Sequence, residues 1–217
     1  VTVTYRISDG PAIVTFDVVD EAAGRPVDGR NLWRVSGEVN RVVDGDDTPH
    51  AFVWRPVTDH SNTRISAGNF SVRVKAWSKS APPDYMVVNL DGVKDDPDHV
   101  TFYASSNAVP GGILENADYR TSKILMRKIH RPAGGRYWMG TAADEGEVEK
   151  SYGGQDAGEW PQHQVDLDAD YYMGVFEVTQ MQWWLIGREK VDSRDAPRPN
   201  AFFTNTTYWA MRPMEGL

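Results

Sequence analysis

The chain contains no cysteine. That absence removes disulfide frameworks, thiolate metal sites, cysteine nucleophiles and dithiol redox pairs together. Positive charge is also scarce: 23 Lys and Arg stand against 31 Asp and Glu in 217 residues, a formal net charge of −8. Such a balance argues against nucleic acid as the main partner. No apolar run approaches the roughly 18 residues of a membrane-spanning helix. The first residues, Val1 to Ile7, alternate as a strand does and lack the charged-then-apolar order of a signal peptide. No Gly-x-Ser-x-Gly, no His-Glu-x-x-His, no internal repeat and no low-complexity tract occurs. At roughly 100–200 residues per domain, the length allows one large domain or two small ones, each able to bury a core without staples.

What the first half does contain is period-2 alternation. Val1, Val3, Tyr5 and Ile7 alternate with Thr2, Thr4 and Arg6, the pattern of a half-buried strand. Ser8-Asp9-Gly10-Pro11 supplies turn chemistry, and Val14, Phe16 and Val18 resume the alternation. A Val35–Val43 run, Ala51–Trp54, Phe70–Trp77 and Tyr85–Leu90 follow. In Phe70–Trp77, Phe70, Val72, Val74 and Ala76 share one face, and Ser71, Arg73 and Lys75 share the other. Short strands separated by turn signals, with no helical period between them, predict an antiparallel β-sandwich over residues 1–90.

Asp91-Gly92-Val93-Lys94-Asp95-Asp96-Pro97-Asp98 has the most linker-like composition in the chain. His99–Tyr103 reads as a strand and Ser105–Asn116 as a Gly/Pro/Asn-rich loop, so residues 91–122 form a linker and irregular connection. Lys123–Ile129, Tyr137–Met139, Gln164–Leu167 and Tyr171–Phe176 are further strand candidates. One helix is expected, from Thr179. Thr179 and Gln182 have capping-box spacing, Met181, Trp184 and Leu185 sit at i, i+3 and i+4, and Gly187 is placed as the C-cap.

Three ordered motifs in this second half resemble the formylglycine-generating enzyme (sulfatase-modifying factor) domain. The first is Ile129-His130-Arg131-Pro132-Ala133-Gly134-Gly135-Arg136-Tyr137-Trp138-Met139-Gly140, similar to the family's Pro–Gly-Gly turn into an aromatic-Met-Gly strand. The second, Glu159-Trp160-Pro161-Gln162-His163-Gln164-Val165, resembles its Glu-x-Pro-x-His-x-Val loop end. The third, Tyr171-Tyr172-Met173-Gly174-Val175-Phe176-Glu177-Val178-Thr179, resembles its strand into Glu-Val-Thr and a helix. Arg212-Pro213-Met214-Glu215-Gly216-Leu217 is similar to the start of the next family motif. Trp54-Arg55-Pro56 and Pro82-Pro83-Asp84-Tyr85-Met86-Val87-Val88 resemble sandwich-like modules that precede such domains in bacterial multidomain proteins.

The resemblance implies an irregular α+β fold related to C-type lectins. It also implies a family chemistry in which copper and oxygen convert a sulfatase cysteine to formylglycine through a cysteine pair. Iron-dependent sulfoxide synthases and non-catalytic binding proteins are relatives. The copper ligands and the catalytic pair belong to the later part of the family domain, so no catalytic residue carries over. What matches is scaffold: glycines for turns, packing aromatics and the Glu-Val-Thr helix start.

Other constellations are weaker. Asp166, Asp168, Asp170 and Glu177 have the 1-3-5-12 spacing of a calcium loop, but Tyr171 stands where that loop needs glycine. A solvated acidic turn is the expectation there, and a charged linker at Asp91–Asp98. Gly135 and Gly140 followed by Thr141 echo a phosphate loop without its lysine, which rejects that reading. His50, His60, His99, His130 and His163 are scattered, none paired at helical or metal-ligand spacing. His163 is expected to cap a loop, and Glu177 to favour the positive end of the following helix dipole. Of eight tryptophans, Trp138 and Trp184 are expected in the core with most others, and Trp160 or Trp209 at the surface, where a sugar-stacking platform is the functional alternative.

The combined expectation is a mainly β fragment of a larger bacterial, exported or cell-surface protein. It comprises an Ig-like antiparallel β-sandwich (1–90), a connection (91–122) and the N-terminal part of a formylglycine-generating-enzyme-like domain (123–217). The chain itself is expected to be non-catalytic, with no catalytic, cofactor or metal residue assigned. Copper or iron belongs to a complete parent that oxidises a protein cysteine, and calcium has only spacing behind it. The alternative is a lectin-like module binding a carbohydrate or other ligand. A family domain interrupted after its first helix should leave Trp183, Trp184 and Trp209 poorly covered.

Overall fold

The alternation from Val1 and the turn at Ser8–Pro11 dictate two strands, and a computed structural model describes residues 1–27, 34–55, 69–93, 95–140, 162–187 and 210–214. Strand β1 (Thr2–Tyr5) leads through Asp9 and Gly10, both at positive φ, into β2 (Ala12–Asp20). Five more strands follow: β3 (Arg25–Pro26), β4 (Val35–Gly37), β5 (Arg41–Val43), β6 (His50–Trp54) and β7 (Phe70–Trp77). They form two antiparallel sheets, one of order β1-β6-β4 and one built on β2. Strand β7 pairs with β2 from Ile13 to Asp20, while β5 and β3 pair with its two ends.

The two sheets share one apolar cluster. Alternate residues Val14, Phe16 and Val18 of β2 meet Phe52 and Trp54 of β6, with Ile7, Val39 and Val43. The rings of Phe16 and Phe52 lie 5.0 Å apart. The opposite face of β2 is buried as well, at Ile13, Thr15 and Val19. Trp77 Nε1 donates to the Thr15 hydroxyl at 2.8 Å, and the Lys75 ammonium sits 3.5 Å from the centroid of the Trp77 ring.

The Val35–Val43 run, expected as one strand, is two strands in different sheets. Gly37 (φ 112°) and Asn40 (φ 60°) adopt left-handed backbone between them and turn the chain from one sheet to the other. Only a residue without Cβ fits at position 37, where a Cβ would lie 2.6 Å from the Ala51 carbonyl oxygen.

Tyr85–Leu90, expected to close the first set, also belongs elsewhere. Strand β8 (Tyr85–Asn89) pairs with β9 (Val100–Tyr103) and β10 (Lys123–Ile129) in a sheet of order β13-β10-β8-β9, where β13 is Tyr171–Gly174. Val87, Tyr103 and Leu125 are buried there with Ala108, Val109 and Tyr119 in a second cluster. The described residues of 91–98 are exposed except half-buried Gly92, whereas Tyr103, Ala108, Val109 and Tyr119 of the connection are packed.

Helix α1 (Gln180–Gly187) starts with the expected capping box. The Thr179 backbone N–H donates to Gln182 Oε1 at 2.9 Å, and the Gln182 N–H donates to Thr179 Oγ1 at 3.3 Å. The Gln182 amide further donates to the carbonyls of Tyr119 (3.0 Å) and Lys123 (2.6 Å). That double role turns Gln182 inward with Gln180 and Leu185. Trp184, expected on the buried face, is therefore 39% exposed, and Trp183 is 37% exposed.

Two compact units result, Val1–Arg127 with Met173–Leu217, and Lys128–Tyr172. The second unit contains a two-stranded antiparallel ribbon, β11 (Arg136–Met139) with β12 (His163–Asp166). The described protein is mainly β, with several antiparallel sheets and one α-helix among the described residues. No described helix is long and apolar enough to cross a membrane.

Candidate functional site

The β11–β12 ribbon begins at a turn whose left-handed backbone favours glycine. Ala133–Gly135 forms a single 3-10 turn after Pro132, with Gly134 and Gly135 at φ 82° and 76°. A Cβ on Gly135 would lie 2.2 Å from the Arg131 guanidinium. The Gly135 N–H donates to the Pro132 carbonyl, and its own carbonyl accepts from Leu167 N–H at 2.6 Å. These bonds fix where β11 leaves the turn and where β12 ends beside it.

The register then sorts the side chains. Arg136 faces Asp166, Tyr137 faces Val165, Trp138 faces Gln164 and Met139 faces His163. Directly opposed residues share a face, so one face carries Arg136, Trp138, Gln164 and Asp166, and the other carries Tyr137, Met139, Val165 and His163. On the first face Trp138 is 62% exposed, and the Arg136 Nε donates to Asp166 Oδ1 at 2.8 Å. Trp138 was expected in the core, and the structure corrects this. The neighbours of Trp138 on its face are polar, and among the described residues β11 and β12 form a two-stranded sheet. That polarity of Arg136, Gln164 and Asp166 was readable in the sequence once the register is known.

Asp170 anchors the ribbon's base. It accepts from the Arg131 N–H at 2.9 Å and faces His130 Nδ1 at 3.0 Å. The Arg131 amide, then the His130 ring and the charge of Lys128, hold the Asp170 carboxyl below its ordinary value. Asp166 and Asp170 of the calcium-like spacing are thus engaged with different partners, and Asp166 lies in a strand. In the 91–98 segment, Asp96 accepts from the Asp98 N–H at 2.8 Å and Asp98 pairs with Arg41 at 3.1 Å. Among the described residues no group of three or more His, Asp or Glu is placed to hold a metal ion. Gly135 and Gly140 bracket a strand, and Thr141 lies outside the described residues.

His163 lies exposed on β12, and the loop it was expected to cap falls outside the described residues. Glu177 is exposed before the helix, whose first turn is capped by Thr179. Trp54 is buried and Trp77 half-buried, while Trp33, Trp160, Trp209 and His60 lie outside the described residues.

One arrangement had no signal in the histidine spacing. His50 on β6 is 5% exposed and lies between two carboxylates. Glu38 Oε1 is 3.1 Å from Nδ1, and Asp46 Oδ1 is 3.3 Å from Nε2. Burial pulls the imidazole pKa down, but the hydrogen bond and charge of Glu38, then the charge of Asp46, outweigh it and raise the pKa above 6.5. The Asp46-x-x-x-His50 spacing is local and visible; the Glu38 contact depends on β4 pairing with β6.

No family model, no curated protein and no solved structure matches the chain. The likeness to the formylglycine-generating enzyme domain therefore rests on its three motifs.

Proposed function

We propose that the chain is a non-catalytic binding module, an Ig-like sandwich joined to a lectin-like scaffold, and that it takes carbohydrate on the Trp138 face of the ribbon. The observation that supports this reading is the 62% exposure of Trp138 on a face whose other members are Arg136, Gln164 and Asp166. An indole exposed on a strand offers a flat apolar surface to the C–H face of a pyranose ring. Around it, the Gln164 amide donates and accepts, Asp166 accepts, and Arg136 has four N–H donors beyond the Nε group that meets Asp166. Hydroxyls at the rim of a sugar need that mixture. An open face covers less of a ligand than a pocket does, so the expected affinity is on the order of 1 mM, about −4 kcal/mol.

Titrating the full chain with cellohexaose, chitohexaose and laminarihexaose, while observing the Trp138 indole N–H by NMR, tests this reading. A saturating shift with at least one sugar supports it, and three flat titrations overturn it.

A second reading is favoured by where the three family-like motifs fall. Their described parts fall on β11, β12 and β13, with the Gly134–Gly135 turn before β11 and the Thr179–Gln182 capping box after β13. Under this reading, a longer exported or cell-surface protein carrying the chain oxidises a protein cysteine with copper or iron supplied outside these residues. Incubating that protein and Cu(I) with a Cys-x-Pro-x-Arg peptide should give an aldehyde by mass spectrometry; an unmodified peptide removes the reading.

A further inference from the structure

His50 is the most buried histidine of the described chain, and both of its ring nitrogens face carboxylates. A neutral imidazole has one N–H donor and one lone-pair acceptor. In that form, one nitrogen would present its lone pair to Glu38 or to Asp46. Only the imidazolium, with a donor on each side, suits both neighbours. Three chain segments meet at the ring. Glu38 belongs to the connection from β4 to β5 and donates its N–H to the Ala51 carbonyl at 3.0 Å. Asp46 belongs to the turn from β5 to β6, and Tyr5 of β1 stacks on His50 with ring centroids 5.7 Å apart.

We propose that Glu38–His50–Asp46 is a proton-dependent latch: protonated His50 holds the β4–β5 connection and the β5–β6 turn against β6, and loss of its proton releases them.

Other titratable and charged groups lie near the ring. The Tyr5 hydroxyl donates to the Glu38 carbonyl oxygen, and burial with the Glu38 charge, against that of Arg41, pushes its pKa up to about 12. Asp46 accepts from the Thr48 hydroxyl at 2.8 Å and from the Thr48 N–H at 3.0 Å, which lowers its pKa and keeps it ionised. Arg41 is paired with Asp98, and Arg6 donates to the Asp47 carbonyl. The sign follows from the raised pKa of His50. Its contribution to stability is fully present below the unfolded value of about 6.5 and is lost as pH rises through the folded value. The released turn holds Gly45, whose backbone packs on that of Gly10 so tightly that a Cβ at position 45 would lie 2.0 Å from the Gly10 oxygen. Unlatching therefore loosens the β1–β2 turn too.

The test follows the imidazole nitrogens of the full chain by long-range proton–nitrogen NMR from pH 5.5 to 9. His50 should titrate above 6.5, with both nitrogens protonated below its midpoint, and the amides of residues 38–50 should shift with the same midpoint. Glu38→Gln should lower that midpoint. Melting of the wild type should fall between pH 6 and 9, and His50→Gln should flatten that slope. A His50 midpoint at or below 6.5, loop amides that ignore it, or an unchanged midpoint in Glu38→Gln overturns the latch. If His50→Gln does not fold, the wild-type titration and Glu38→Gln decide the matter.

Discussion

The N-terminal sheets and the β11–β12 ribbon use the same strand geometry for opposite ends. In β2 and β6 nearly every large side chain is covered: Phe52 is 1% exposed, and β2 is buried on both faces, at Val14, Phe16 and Val18 on one and Ile13, Thr15 and Val19 on the other. In the ribbon, β11 and β12 pair with no other strand among the described residues, and Tyr137, Trp138 and Met139 are all exposed. A two-stranded unit of this kind has marginal stability of its own in water. The contrast separates two meanings of an apolar strand residue. Where a second layer covers it, the residue stabilises the fold; where the described residues leave it exposed, it contributes little to stability.

The comparison can be broken first at the core. Phe52→Ala removes a ring packed on Phe16 and should destabilise the N-terminal sheets by about 3–5 kcal/mol, read by denaturant unfolding. Next is the helix start. Gln182→Glu keeps an acceptor for the Thr179 N–H but loses the donors to the Tyr119 and Lys123 carbonyls. The cost should be about 2–3 kcal/mol, seen as loss of hydrogen-exchange protection at residues 180–187. Gly45→Ala forces a Cβ against the Gly10 backbone and should cost roughly 1–3 kcal/mol, with a lower denaturant midpoint and an unchanged slope.

Local chemistry was legible in the sequence and long-range pairing was not. The alternation of Val14, Phe16 and Val18, the strand at Lys123–Ile129 and the Thr179–Gln182 capping box depend on residues within a few positions, and they stand as read. Tyr85–Asn89 has an equally clear strand signal, but alternation does not say which sheet a strand joins; its partners begin at Val100 and Lys123. The break at Asn40 turns on a left-handed backbone that asparagine tolerates and does not require. Trp54 and Trp138 both sit in alternating strands. What distinguishes them is a covering layer, which no pattern within either strand encodes. The same holds at His50, where half of the carboxylate pair comes from a neighbouring strand's connection.

The smallest expected change in stability carries the most weight. Trp138→Ala should leave stability within about 0.5 kcal/mol of the wild type, because the side chain covers little. Measured on that variant together with the wild type, thermal melting and NMR titration with the three hexasaccharides test the division between core and recognition surface. The melt should be unchanged and the sugar-induced shifts on the ribbon amides lost. A marked fall in melting temperature, or sugar shifts that persist without the indole, would contradict that division.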